Sequence, residues 1–295
     1  MQKHRTRVVC TALVAVALAA LGLAGTAQAK LTGNYTRFSQ CPYANLEVIK
    51  CLYSVTESGE VVLGNKKVPI EKAVTLQGGY GSVGEDEFSK FFAASNGITL
   101  AKVPQNVPGG LLGIVPEASS PALVKALIKF FLENSLTGVN ATLELAKTAS
   151  DIRVSENNLA AEEGAALELP VKVHLENPFL GKNCFVGSSS SPLLWKLTTG
   201  TTKPPAPNSP ITGSVGAAKF LEEGRILETK GAKFVDNAWS APGPSGCGGI
   251  LSFLVTPIIS AQLGTTTAGH NTAILVNTLS VGSAAAVRKN NSENP

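Results

Sequence analysis

The stretch Leu167-Glu168-Leu169-Pro170-Val171-Lys172-Val173-His174-Leu175-Glu176 carries the clearest structural pattern in the chain. Apolar side chains occupy every second position, and most of the residues between them are charged or polar. Because successive side chains of a β-strand point to opposite faces, this alternation predicts a strand with one buried and one solvent-facing face. Pro170 cannot donate a backbone hydrogen bond, so its place in the run predicts an edge strand or a bulge.

Shorter runs of the same kind lie on both sides of this strand. Residues 60–70 hold two β-prone runs around Gly64-Asn65, which is typical of a hairpin, and residues 139–145 alternate like 167–176. Further β-prone pieces are residues 185–186, 193–197, 213–215, 226–229 and 272–276. Many short strands separated by turns rich in Gly, Pro and Ser predict a mainly β fold. We expect an antiparallel β-sandwich or a barrel-like domain with one or two short helical inserts.

Two other segments are strongly apolar. Residues 120–135 predict a helix whose surface is mostly apolar, which favours packing against a sheet. The alternative is a docking site for a lipid or a hydrophobic partner, to which residues 109–115 would contribute. Residues 250–259 form the second apolar segment, in which Pro257 would interrupt a helix.

The beginning of the chain predicts export. Three basic residues precede a long apolar run, and residues 27–29 supply the small-x-small pattern that signal peptidases cleave. We therefore expect a signal peptide over residues 1–29 and a secreted, mainly β domain over 30–289. Residues 290–295 are expected to be a disordered tail.

Charge and hydropathy exclude two classes of partner. Loss of Lys3, Arg5 and Arg7 with the signal peptide reduces the 25 basic residues to 22, against 21 acidic ones. A nearly neutral chain without a basic stripe is not expected to bind nucleic acid. No apolar stretch after Lys30 is long enough to span a bilayer, so no transmembrane segment is expected after signal cleavage. The predicted location is secreted or extracellular, with association with the cell envelope as an option.

The cysteines of the secreted part predict disulfides. Four remain after the signal peptide, namely Cys41, Cys51, Cys184 and Cys247. An even number in an exported chain favours two bridges, for which three pairings exist. The separation of ten residues between Cys41 and Cys51 favours a local bridge, which leaves Cys184 to pair with Cys247. The chain has no C-x-x-C motif, so zinc and thioredoxin-type chemistry have no support.

No motif assigns a catalytic, cofactor-binding or metal-binding residue. His174 falls on the solvent face of its strand, and His270 lies in a turn with no serine in a G-x-S-x-G context. The adjacent acids Glu162-Glu163 and Glu222-Glu223 would point to opposite faces of a strand and would not converge on one site. The sequence therefore predicts a protein without catalytic activity and without a cofactor.

The C-terminal third of the chain resembles a known group of proteins. Residues 235–249, V-D-N-A-W-S-A-P-G-P-S-G-C-G-G, precede the apolar run 250–259 and Ala268-Gly269-His270-Asn271-Thr272-Ala273. This pattern resembles uncharacterised secreted proteins of high-GC Gram-positive bacteria. The resemblance implies export and a β-rich fold, and it brings neither an activity nor site residues.

Three functional hypotheses follow. The leading one is an exported, non-catalytic protein of the cell envelope or extracellular space with a structural or interaction role, whose partner is an envelope protein or a glycan. The alternative is a carrier of a lipid or another apolar ligand, for which residues 111–132 or 250–259 would line a cavity. The second alternative is a secreted hydrolase, which would need two converging carboxylates or a site around His270.

Overall fold

A computed structural model of the chain describes residues 30–85, 87–110, 121–122, 125–126 and 138–294. The signal peptide predicted over 1–29 and nearly all of the helix predicted near 120–135 lie outside the described residues. The strands are β1 (Lys50–Leu63), β2 (Lys66–Pro69), β3 (Val74–Val83), β4 (Ser89–Ala93), β5 (Pro104–Asn106), β6 (Asn140–Leu145), β7 (Arg153–Val154), β8 (Leu167–Glu176), β9 (Phe185–Val186), β10 (Leu193–Leu197), β11 (Ala217–Leu221), β12 (Ile226–Asp236), β13 (Pro244–Ser245) and β14 (Asn271–Ser283). The α-helices are α1 (Glu156–Ala161), α2 (Ser252–Leu263) and α3 (Ala284–Glu293).

The strands form one antiparallel sheet, which confirms the predicted fold class. The main path runs β11-β12-β14-β1-β3-β4-β7-β8-β6-β5, and β2, β9, β10 and β13 pair beside it. The hairpin predicted within residues 60–70 is present, with β1 and β2 joined at Gly64-Asn65. The helices of the described residues are few and short, as the sequence predicts.

Pro170 lies inside the sheet, so the prediction of an edge strand or a bulge is wrong. The first half of β8 pairs with β7 and β10, and its second half pairs with β6 and β9. The carbonyl of Pro170 accepts from the amide of Ala146 just beyond the end of β6, at 3.0 Å. The nitrogen of a strand residue faces the same side as its carbonyl, so the missing N–H of Pro170 falls where β6 ends and β7 begins. A proline there removes no ladder hydrogen bond.

The sheet closes on itself between β10 and β12. The amide of Thr198, directly after β10, donates to Val235 of β12 at 3.0 Å, and the amide of Val235 donates back at 2.9 Å. The buried carboxylate of Asp236 accepts from the amide of Lys196 at 2.6 Å and from that of Ala238 at 2.9 Å. We call these contacts the seam. They complete a closed circuit through β12, β14, β1, β3, β4, β7, β8 and β10, which makes the fold barrel-like.

The N-terminal segment, residues 30–49, packs on the outer face of this barrel. A buried cluster of Phe38, Val48 and neighbouring residues packs on β1, β12 and β14. Two glycines make this approach possible, because a Cβ on Gly79 would lie 2.6 Å from Val48 and one on Gly282 would lie 2.6 Å from the ring of Phe38. The Cys41–Cys51 disulfide bonds the segment to β1. The segment is therefore an integral layer of the fold.

Both predicted disulfides are confirmed, with Cα–Cα distances of 5.5 Å for Cys41–Cys51 and 4.1 Å for Cys184–Cys247. The second bridge joins the residue before β9 to the glycine-rich turn before α2. Among the described residues no helix is both long and apolar enough to cross a bilayer.

The apolar run 250–259 forms most of α2, so the interruption predicted at Pro257 does not occur. Pro257 leaves the carbonyl of Phe253 without its helical donor. The Phe253 residue is 70% exposed, and water can therefore solvate that carbonyl.

The predicted disordered tail is helical as far as Glu293. The side chain of Ser283 caps α3 by accepting from the amide of Ala286, and Val287 is buried against the N-terminal segment. Asn290 accepts from the amide of Thr32 at 2.9 Å. Tertiary contacts thus order a polar sequence that composition alone would leave unstructured.

The first prediction concerns the seam. Asp236→Ala leaves the amides of Lys196 and Ala238 without an acceptor, and we expect it to lower the free energy of unfolding by about 1–3 kcal/mol in urea titrations.

Burial raises the pKa of Asp236 above its ordinary value of 3.8. The folded state therefore binds this proton more tightly than the unfolded chain does. The stability difference between wild type and variant should be largest at low pH and fall as pH rises through the folded-state pKa. Asp151→Ala, at an exposed position, is the control, and equal effects of both variants would contradict the role of Asp236.

The second prediction compares the two disulfides. The Cys184→Ser/Cys247→Ser variant should lose about 2–4 kcal/mol of unfolding free energy, because its bridge restricts a loop of 63 residues. The Cys41→Ser/Cys51→Ser variant opens a loop of ten residues. Its loss of unfolding free energy should be smaller than that of the other variant by about 1–2 kcal/mol. Denaturation without reductant measures both values. A larger loss for the shorter loop would contradict the loop-entropy explanation.

Candidate functional site

The barrel surrounds an apolar cavity of about 170 Å³. Residues directly opposite each other in neighbouring strands share one face of the sheet. Leu76, Ser54 and Leu279 are opposite one another across β3, β1 and β14, and all three line the cavity. The inward face of these strands is therefore the cavity wall.

The opposite wall comes from the strands that the sequence identified most clearly. Leu169 and Val173 of β8 and Ala141 of β6 point into the cavity. Trp195 of β10 lies opposite Leu169 and is fully buried. Its indole Nε1 has no hydrogen-bond partner among the described residues. A buried donor without a partner is uncommon in folded proteins.

A polar cluster closes one end of the cavity. Tyr80 and Lys50 are directly opposite each other on β3 and β1, and Glu156 begins α1. The Lys50 ammonium lies 2.7 and 2.9 Å from the two carboxylate oxygens of Glu156, and the Tyr80 hydroxyl donates to the same carboxylate. Tyr80 and Glu156 both line the cavity. The positive and negative charges of this cluster cancel.

Burial raises the pKa of Tyr80 well above its ordinary value of 10.0. The negative charge of Glu156 and the hydrogen bond to its carboxylate raise the Tyr80 pKa further. Tyr80 is therefore a neutral hydrogen-bond donor over the whole physiological pH range.

The other end of the cavity lies between the β1–β2 hairpin and α2. Leu63 and Lys66 line it from the hairpin, and Ile259, Gln262 and Leu263 line it from α2. Residues 250–259 thus contribute to the cavity wall through Ile259, as a carrier would require. Residues 111–132, the other segment named for that role, lie almost wholly outside the described residues.

The opposite side of α2 and the turn before it are apolar and exposed. Ile250 is 96% exposed and Phe253 is 70% exposed, and Leu251, Leu254 and Ile258 are each more than half exposed. We call these five residues the α2 patch. Large exposed apolar side chains in contiguous sequence are typical of interaction surfaces.

The histidines and acid pairs named from the sequence lie apart from this cavity. His174 is on the outer face of β8, where it stacks on Phe185 at 4.4 Å, and its side chain is only 18% exposed. It is therefore half-buried, whereas the sequence predicted a solvated side chain. His270 lies 3.3 Å from the hydroxyl of Thr267.

The acid pairs Glu162-Glu163 and Glu222-Glu223 lie in turns, and Glu162, Glu222 and Glu223 have positive φ angles. The opposite-face argument for strands therefore does not apply to them. The described ranges contain no group of three or more His, Cys, Asp or Glu residues that could hold a metal ion.

Sequence reasoning identified several of the strands that line the cavity but missed Lys66, Glu156 and Trp195 as cavity residues. A signal for Lys66 was present, because it alternates with the apolar Val68 and Ile70 directly after a predicted turn. Strict alternation places a lysine on the apolar face there. Glu156 carries no such signal, because a short helix brings it to β1 and β3 from a distant part of the sequence.

Comparison of the chain with family models, curated proteins and solved structures finds no match in any of the three.

The third prediction concerns the polar cluster. Glu156→Gln removes the charge that helps to raise the Tyr80 pKa, so we expect this pKa to fall while burial keeps it above the ordinary value. Ultraviolet titration of tyrosinate, with Tyr80→Phe to identify the Tyr80 signal, measures the change. Glu163→Gln, at an exposed position, should leave the titration unchanged. An unchanged Tyr80 pKa in Glu156→Gln would contradict the contact.

Proposed function

We propose that this protein is an exported carrier that binds an apolar small molecule inside its barrel. The observation that carries the proposal is the cavity of about 170 Å³. A protein cavity of about 150 Å³ with only apolar lining stays dry and takes up benzene. A cavity of at least that size accommodates several carbon atoms of a ligand.

The energetics of an unfilled cavity support a ligand. Protein interiors are normally close-packed, and an unfilled apolar cavity forfeits the dispersion contacts of the side chains around it. Leu76, Leu169, Val173 and Leu279 all line this space. A bound apolar molecule restores those contacts and transfers its own surface out of water.

Export agrees with this proposal. The two disulfides fit an oxidising compartment outside the cytoplasm. A molecule with low water solubility needs a protein to shield it in an aqueous space, and the closed sheet supplies such a shield.

A second candidate function is an interaction with another component of the cell envelope. The α2 patch supports it, because five large apolar side chains are exposed on one helix and the turn before it. This candidate and the carrier are compatible, because the two faces of α2 serve them separately.

The fourth prediction tests the carrier. In calorimetric titrations 1-octanol should bind the protein with saturation and raise its melting temperature, because a ligand that binds only the folded state stabilises it. Ala141→Phe places a ring in the cavity and should weaken octanol binding by at least about tenfold, a loss of about 1.4 kcal/mol.

The control is Ala218→Phe, an identical change at an exposed position of β11. It should bind octanol like the wild type. Absence of saturable binding to the wild type, or equal loss in both variants, would overturn the carrier proposal. Native mass spectrometry of protein recovered from culture medium then tests for a ligand that co-purifies.

A further inference from the structure

The strand β2 places two neighbouring lysines on opposite faces of the sheet. Lys66 is opposite Leu63, and Val68 is opposite Val61; all four line the cavity. Lys67 points to the outer face, where its ammonium pairs with Glu60 at 2.5 Å. Alternation along β2 therefore directs one lysine inward and the next outward.

The inward lysine has no opposite charge beside it. Lys66 and Glu156 are the charged residues of the described cavity lining. Glu156 is neutralised by Lys50, whereas no carboxylate of the described residues lies within ion-pair distance of the Lys66 ammonium. Burial without compensation lowers the pKa of Lys66 from its ordinary value of 10.5. The two ends of the cavity thus differ in charge.

Further hydrogen-bonding capacity lies at the same end of the cavity as Lys66. The amide of Asn65 donates to the carbonyl of Leu263 at 2.7 Å, which brings the β1–β2 turn and the end of α2 together. Lys66 and Gln262, the residues next to these two, both line this end of the cavity. A cation and a primary amide can together bind the oxygens of one anionic group.

We propose that the ligand is an anionic amphiphile of the alkyl carboxylate class, with its carboxylate bound by Lys66 and its hydrocarbon chain extending along the barrel toward Tyr80. This proposal rests on the proposed carrier function and adds the chemistry and orientation of the ligand. The carboxylate of the ligand then compensates the positive charge of Lys66.

The opposite orientation is unfavourable. A carboxylate at the Tyr80 end would lie beside the carboxylate of Glu156, and it would compete for a Lys50 ammonium that already contacts both oxygens of Glu156. Two carboxylates placed side by side repel each other. The polar cluster of Lys50, Tyr80 and Glu156 has no net charge. It therefore favours the uncharged end of the ligand's hydrocarbon chain.

The fifth prediction uses octanoate and 1-octanol, which share one chain length and differ in charge, in calorimetric titrations at neutral pH. Lys66→Met should weaken octanoate binding by roughly tenfold and leave octanol binding within about twofold, because a hydrogen bond to a charged group is lost. Lys66→Arg keeps the charge and should restore most of the octanoate affinity.

Lys67→Met is the matched control, because this side chain is adjacent, paired with Glu60 and 64% exposed. It should bind both probes like the wild type. Equal binding of octanoate by Lys66→Met and Lys67→Met, with octanol still bound, would overturn the anionic ligand and leave the carrier intact. Failure of the wild type to bind either probe would overturn the carrier itself.

Discussion

Closure of the sheet at the seam is the constraint on which the rest of the structure depends. Two backbone hydrogen bonds join Thr198, directly after β10, to Val235 of β12 and so complete the circuit of strands. The carboxylate of Asp236 reinforces them by accepting from the amide of Lys196. Without this junction the inward face would open to water, and β10 and β12 would each present an unpaired edge there. A buried carboxylate is costly, and its two backbone donors offset part of that cost at the place where closure needs an acceptor.

Closure gives the sheet an outer face, on which other segments pack, and an inner face that encloses the cavity. On the outer face, Gly79 and Gly282 leave room for the N-terminal segment, which the Cys41–Cys51 bridge fixes in place. On the inner face, apolar side chains such as those of Leu76 and Leu279 line a cavity of about 170 Å³. The N-terminal segment thus supports the barrel sheet from outside. The side chains inside the barrel do not fully stabilise the sheet, because they leave a cavity. A stable shell around an incompletely packed interior is the arrangement that a carrier requires.

Charge and helix placement then divide the cavity into two distinct ends. At one end the side chains of Lys50 and Tyr80 both donate hydrogen bonds to Glu156. At the other end Lys66 lines the cavity together with residues of α2. The helix α2 buries Ile259 and Leu263 toward the cavity and exposes Phe253 to solvent, and Ile250 is exposed in the turn before it. The helix is therefore apolar both on the side that lines the cavity and on the exposed side. Among the described residues, the end with Lys66 therefore carries a positive charge without a carboxylate partner, whereas the charge of Glu156 at the other end is paired.

The sequence by itself determined the local and covalent features of this protein. The alternation in residues 167–176 fixed a strand with two different faces, the turn at Gly64-Asn65 fixed a hairpin, and cysteine number and spacing favoured the observed disulfides, because each depends on neighbours in sequence or on a short list of pairings. Only the tertiary structure decided where Pro170 is tolerated, that residues 290–293 are helical, that the sheet closes, and that Lys66 and Glu156 face one cavity from opposite ends. These features depend on contacts between residues distant in sequence, such as Thr198 with Val235, which local propensity does not encode.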